Sequence, residues 1–168
     1  MSGAVDTVLT WLETVPPASA VRDSRWGYPL TEAAHITGLA IMVGAIVLFD
    51  LRLLGAARQL RVTALAGHAL RWSRIGFTVV ALTGSLMFMA HATQLAYNTV
   101  FQLKMLLIAA AGLNILLFHT GLFRDVKDWD ADVRTPPSAR AAAVISLTVW
   151  PAVIICGRLI AYVPTTRP

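Results

Sequence analysis

Four apolar runs, at residues 30–49, 75–96, 100–117 and 141–163, constrain this chain more than any other feature. Each approaches the roughly 20 residues that an α-helix needs to cross a ~30 Å hydrocarbon core. Lipid offers no partner for backbone N–H and C=O groups, so a segment of this length must close its hydrogen bonds internally, as a helix does. The composition agrees: 57% of residues are hydrophobic and 14% charged, far from the balance of a soluble domain. The expected fold is an all-α membrane protein, a single domain over residues 1–168. Its core is a four-transmembrane-helix bundle with helices at about 30–50, 74–97, 100–121 and 141–163.

Ahead of the first run, residues 4–15 place Val5, Val8, Leu9, Trp11, Leu12 and Val15 at near-helical spacing, with Asp6, Thr10 and Glu13 elsewhere on the wheel. This predicts an N-terminal amphipathic helix lying on the outer membrane surface, ended by Pro16 and Pro17. The first apolar run starts only after Arg22, Asp23 and Arg25, which does not fit a cleavable signal peptide. Trp26, Tyr28, Tyr97, Trp129 and Tyr162 fall where interfacial aromatic belts would. Cys156 is the single cysteine, so no intrachain disulfide forms, and it reads as a small buried packing residue.

The net charge is +5, but the basic residues are divided among loops instead of forming one patch. A nucleic-acid partner is therefore not expected; the partner is the lipid bilayer. Arg52, Arg58, Arg61, Arg71 and Arg74 lie between the first and second runs, and Arg124, Lys127, Arg134 and Arg140 between the third and fourth. The positive-inside rule makes both of these loops cytoplasmic and puts both termini on the periplasmic side of a bacterial inner membrane.

Tracing the alternating helix directions gives each histidine a depth. His35 lies five residues into the inward-running first helix, near the outer surface. His91 follows Arg74 by ~25 Å of outward-running helix and reaches the outer level too. His119 lies ~22 Å beyond Lys104 on the inward-running third helix, and His68 sits at the inner start of the second. One pair, His35 with His91, is thus outer, and the other, His68 with His119, is inner. Two histidines from different helices at one depth, repeated at a second depth, are what bis-imidazole haem ligation needs. Gly38, Gly84, Gly112 and Gly76 lie roughly on the faces of these histidines, where a flat macrocycle would meet the backbone. Arg158, inside the fourth run at the outer level, is expected to face a propionate or to pair with Glu32. Asp50 is expected to pair with an arginine of the inner loops, and Gly55 to end the first helix.

Other readings use the same residues. Met87 and His91 share a helix face and offer the soft ligands that suit copper. Glu32 and His35 have the Glu-x-x-His spacing of di-iron bundles, but the further glutamates those sites need are missing. A structural or accessory subunit, its histidines only anchoring and packing, is the reading without a cofactor.

The stretch YPLTEAAHITGLAIMVGAIVLFDLRLLG, residues 28–55, resembles a family of small bacterial integral membrane proteins of unknown function, through HITG and then DLRLLG in the first helix. That resemblance implies a four-helix inner-membrane protein and supplies no activity. The histidine layout is similar in kind to diheme cytochrome b bundles and to the copper-resistance membrane family. In many of the former, two helices supply both ligand pairs; here the first and second helices would serve one haem, and the second and third the other. The expected function is a b-type haem electron carrier or cytochrome subunit. It would hold one or two haems and pass electrons from a quinol or periplasmic donor to a redox partner subunit. Copper handling or small-solute transport is the alternative.

Overall fold

A computed structural model describes residues 2–131 and 133–165. Among them every regular element is helical: α1 (Ser2–Thr14), α2 (Pro16–Asp23), α3 (Gly27–Leu54), α4 (Val62–Ala90), α5 (Ala92–Ala96), α6 (Thr99–Thr120), a 3-10 segment (Leu122–Trp129) and α7 (Pro137–Leu159). α3, α4, α6 and α7 are the four helices long and apolar enough to cross a membrane, and they make the chain a multi-pass membrane protein.

Local chemistry sets the helix ends. Pro16 occupies the first turn of α2, where its missing N–H has no partner to lose, so the proline pair opens a second helix after breaking the first. Gly55, with φ of 111°, closes α3: its N–H reaches the Arg52 carbonyl at 3.1 Å and the Ala56 N–H reaches Leu51 at 3.0 Å, the paired bonds of a Schellman ending. Asn98 caps α6 by accepting from the Val100 and Phe101 N–H groups, both at 3.0 Å. Its amide donates to the Val163 carbonyl at 3.0 Å, which ties the stretch after α7 to the start of α6.

α4 begins at Val62, a dozen residues before the start expected from hydropathy. No residue next to it in sequence caps it. Instead Asp130 accepts from the Thr63 N–H at 2.8 Å and the Thr63 hydroxyl at 3.0 Å, and pairs with Arg61 at 3.0 Å. The backbone N–H of Thr63 and, after it, the Arg61 guanidinium hold the Asp130 carboxyl below the usual carboxylate range. Arg52, 2% exposed, donates to the carbonyls of Leu60 at 2.7 Å and of Arg58 and Asp130 at 3.1 Å. A guanidinium at the foot of α3 thus gathers the α3–α4 connection and the 3-10 segment. Trp129 is not an interfacial anchor; it is buried beside Leu53, Val62 and Phe118 in the core at this end of the bundle.

α3 packs along α4, α6 along α7, and α3 against α7, so α3 and α7 form the middle of the bundle. The tightest seam is the α3–α4 crossing. A Cβ added at Gly76 would lie 2.7 Å from both the Gly38 carbonyl oxygen and the Met42 backbone nitrogen. Small residues at such a crossing let two backbones touch in lipid, where no hydrophobic force drives helices together. α6 turns Leu103, Leu106, Leu113, Leu116 and Leu117 outward, the face expected to meet acyl chains.

Gly76→Ala is expected to destabilise the protein by about 1–3 kcal/mol, because the added methyl meets backbone that cannot step aside. Gly112→Ala should not lower stability, since nothing lies within 4 Å of the added carbon. Thermal unfolding of the two variants in detergent, side by side, checks the contrast.

Candidate functional site

α4 and α6 do not pack along their lengths, and the space between them is a cavity of about 610 Å³. That volume falls within the 300–1,000 Å³ typical of small-molecule sites. Leu39 and Met42 of α3 and Trp150 and Val153 of α7 line it together with α4 and α6, and Leu12 of α1 also reaches it. Phe77 and Met105, which border it, are 55% and 44% exposed, so the cleft opens sideways to where lipid would be.

Two ionisable side chains line this apolar space, His35 and Lys104. The His35 ring lies against Gly84, where an added Cβ would be 3.1 Å from Cε1; the glycine makes room for the imidazole itself. Its Nδ1 is 2.9 Å from the Thr83 hydroxyl, and that hydroxyl gives its one hydrogen to the Val79 carbonyl at 2.6 Å. The Thr83 oxygen therefore accepts and Nδ1 carries the proton, so in a neutral ring the lone pair lies on Nε2. A fixed tautomer with one free nitrogen lone pair is the state in which histidine ligates a metal. Lys104 extends from α6 toward α7, where a Cβ on Gly157 would be 3.5 Å from its Nζ. No carboxylate pairs with it among the described residues.

The other expected site residues lie elsewhere. His91 is at the same end of the bundle as His35 but does not line the cleft. The helix breaks at His91 (φ −141°, ψ 41°), and its ring sits edge-on to Tyr28 with centroids 5.6 Å apart. His68 is exposed, its Nδ1 3.1 Å from the Ala64 carbonyl. His119 donates back to Ile115 at 3.0 Å, touches the Phe118 and Phe123 rings, and borders a separate cavity of about 90 Å³ at the opposite end. His68 does not line that cavity. Gly38 is occupied by the α4 crossing, with an added Cβ 2.9 Å from Val79, and Gly112 faces open space. Arg158 does not pair with Glu32; its guanidinium donates to the Tyr162 hydroxyl at 2.9 Å and lies over that ring. Met87 is absent from the cleft lining, whereas Met89 and Met105 belong to it. Among the described residues no three His, Cys, Asp or Glu side chains gather as a metal site.

Three parts of the site escape sequence reading: Thr83, Lys104 and the lid. α1 does not simply float on the surface. Glu13 accepts from the Thr93 N–H at 2.8 Å and its hydroxyl at 2.7 Å, and Tyr97 donates to Asp6 at 2.7 Å. These bonds dock α1 onto α5 and bring Leu12 to the cleft.

A sequence family described as "Family of unknown function (DUF6644)" matches residues 27–163, from the first residue of α3 to just past α7. The chain belongs to this family. No curated protein and no solved structure matches it. In this DUF6644 member the cleft walls, His35 and Lys104 all fall inside the matched region, while Leu12 and Glu13 of the lid fall before it.

Partial burial opposes ionisation of Glu13, but the two Thr93 hydrogen bonds and Arg22 outweigh it and hold the carboxyl below its ordinary value. A carboxylate depressed on docking stabilises the docked state above its undocked pKa and loses that contribution as pH falls through the docked value. Docking of α1 should therefore be intact at neutral pH and loosen in acid, below the ordinary glutamate range. Hydrogen exchange across α1 and α5 should show this, with Glu13→Ala exchanging fast at neutral pH.

Proposed function

We propose that this DUF6644 protein is a b-type haem electron-transfer protein of the bacterial inner membrane, with one haem in the α4–α6 cleft and His35 as an axial ligand. The observation that carries the reading is the His35 ring. Its Nδ1–H is fixed by Thr83, leaving a nitrogen lone pair on a ring that lines an apolar cavity of about 610 Å³. The thioethers of Met89 and Met105 are in the same lining and either would help His35 to hold the iron, in place of His91. The Lys104 ammonium fits a propionate. When bound, the haem would supply one-electron chemistry; the chain's part is to hold the imidazole, exclude water and compensate negative charge. The inner cavity, about 90 Å³, is too small for a second macrocycle, so the proposal is for one haem. The described residues form no separate extramembrane domain, so electrons would pass from a quinol or periplasmic donor to a partner subunit. The Arg-rich connections favour an orientation with α1 on the periplasmic side.

A second reading is favoured by the sideways opening and by Lys104. A lipid-soluble amphiphile with an acidic or carbonyl headgroup would enter from the bilayer and meet that ammonium.

The test is the oxidised and dithionite-reduced visible spectrum of protein purified after growth with haem precursor, with iron assayed on the same sample. The expected result is a reduced b-type α-band at one haem per chain, lost in His35→Ala and kept in His91→Ala and His68→Ala. A colourless, iron-free preparation overturns the haem reading. Co-purification of an extractable amphiphile that is lost in Lys104→Met would then favour the second.

A further inference from the structure

At the opposite end of the bundle from the cleft lies a buried carboxyl that the proposed function does not use. Asp50 of α3 is 5% exposed, and its Oδ2 has no hydrogen-bond partner among the described residues. The Ser146 hydroxyl of α7 borders the same cavity as this carboxyl. The expected pairing with an arginine of the inner loops is not seen among the described residues; Arg52, two residues on, donates to the Leu60, Arg58 and Asp130 carbonyls.

Asp50 borders the cavity of about 90 Å³, where Ser73 of α4, Asn114 and His119 of α6, and Ser146 of α7 also contribute polar groups, the rest of the lining being apolar. At ~30 Å³ per molecule that is room for about three waters. Asn114 gives one amide N–H to the Ala142 carbonyl at 3.0 Å, leaving the second N–H and its oxygen. His119 has Nδ1 on the Ile115 carbonyl at 3.0 Å, leaving Nε2. Among the described residues His119 is the one other titratable group in this lining, and none comes from α4 or α7. A buried carboxylate with one oxygen unpartnered among the described residues is a costly charge at that depth. A hard metal cation would take about six oxygens; four oxygen-bearing side chains line this space.

We propose that this cavity is a proton-binding site. Asp50 is the acceptor, and the proton is exchanged with the solution at the 3-10 end through cavity water and the His119 imidazole. On uptake a hydronium at that surface gives up a proton, an O–H bond forms on the Asp50 carboxyl, and one water is returned; no other bond changes. The proposal does not rest on the haem reading and holds for the chain with or without a cofactor in the cleft.

Two measurements on the full-length protein in detergent test it. An apolar carbodiimide reacts with protonated carboxyls in apolar surroundings: the acid O–H adds across N=C=N, and rearrangement leaves an N-acylurea, a gain of one reagent mass with nothing lost. A single adduct is expected on the peptide containing Asp50, formed more slowly as pH rises, absent in Asp50→Asn and indifferent to sodium. Infrared difference spectra against pH should show a protonated-carboxyl C=O band that shifts on ¹³C-aspartate labelling. This second measurement needs no variant, so it stands if Asp50→Asn misfolds. No protonated aspartate band at any pH where the protein stays folded overturns the proposal. Blocking of the adduct by sodium but not by choline also overturns it, in favour of a metal-cation site.

Discussion

The approach of α3 to α4 at Gly38 and Gly76 governs how the rest of this bundle is arranged. With no Cβ at either position the two backbones come into contact, and α4 is committed along one side of α3. α7 packs against α3 as well and carries α6 with it, and α4 and α6 are left without a shared seam. The cleft is thus the geometric remainder of a tight helix pair: close contact in one place creates space in another. The same crossing positions His35, three residues before Gly38, against Thr83 and Gly84 of α4. The residue that can bind is therefore held by the seam that opens the space.

The other end of the bundle is organised by charge instead of small residues. Arg52, buried, holds three carbonyls from two connections, and Asp130 caps a helix that starts far from it in sequence. The carbonyl oxygens that accept from the guanidinium offset part of the cost of burying it. Asp50, two residues away on the same helix, receives none of that positive charge. The contrast shows that sequence proximity of opposite charges does not make a pair when helix geometry sends the two side chains to different faces.

The four spans, the helical class and the end of α3 at Gly55 were legible in the sequence, because length, hydropathy and a left-handed glycine are local signals. The start of α4 was not. The stretch VTALAGHALRWSR lies ahead of the uninterrupted apolar run, and the residue that caps it, Asp130, is 67 positions from Thr63. Depth along each helix was readable from the count of residues and put His35 and His91 at one end. Rotation about the helix was not readable, and the break at His91 turns its ring to Tyr28 and not into the cleft. Lys104 was hidden by its place near the start of an apolar run, where a cation looks like a boundary marker. Only the packing of α6 against α7 turns it toward the cavity. The lid was hidden for the same reason: an amphipathic pattern specifies an apolar face but not what covers it.

The sideways exposure of Phe77 and Met105 has a bearing on selectivity. A ligand that reaches the cleft from the bilayer leaves one apolar medium for another, so the transfer free energy that drives most binding from water is nearly absent. Acyl chains are as compatible with these walls as any other hydrocarbon and are present in vast excess. Discrimination must then come from shape and from the two places where the lining is not hydrocarbon-like, the His35 nitrogen and the Lys104 ammonium. An occupant that satisfies neither of them would be outcompeted by lipid.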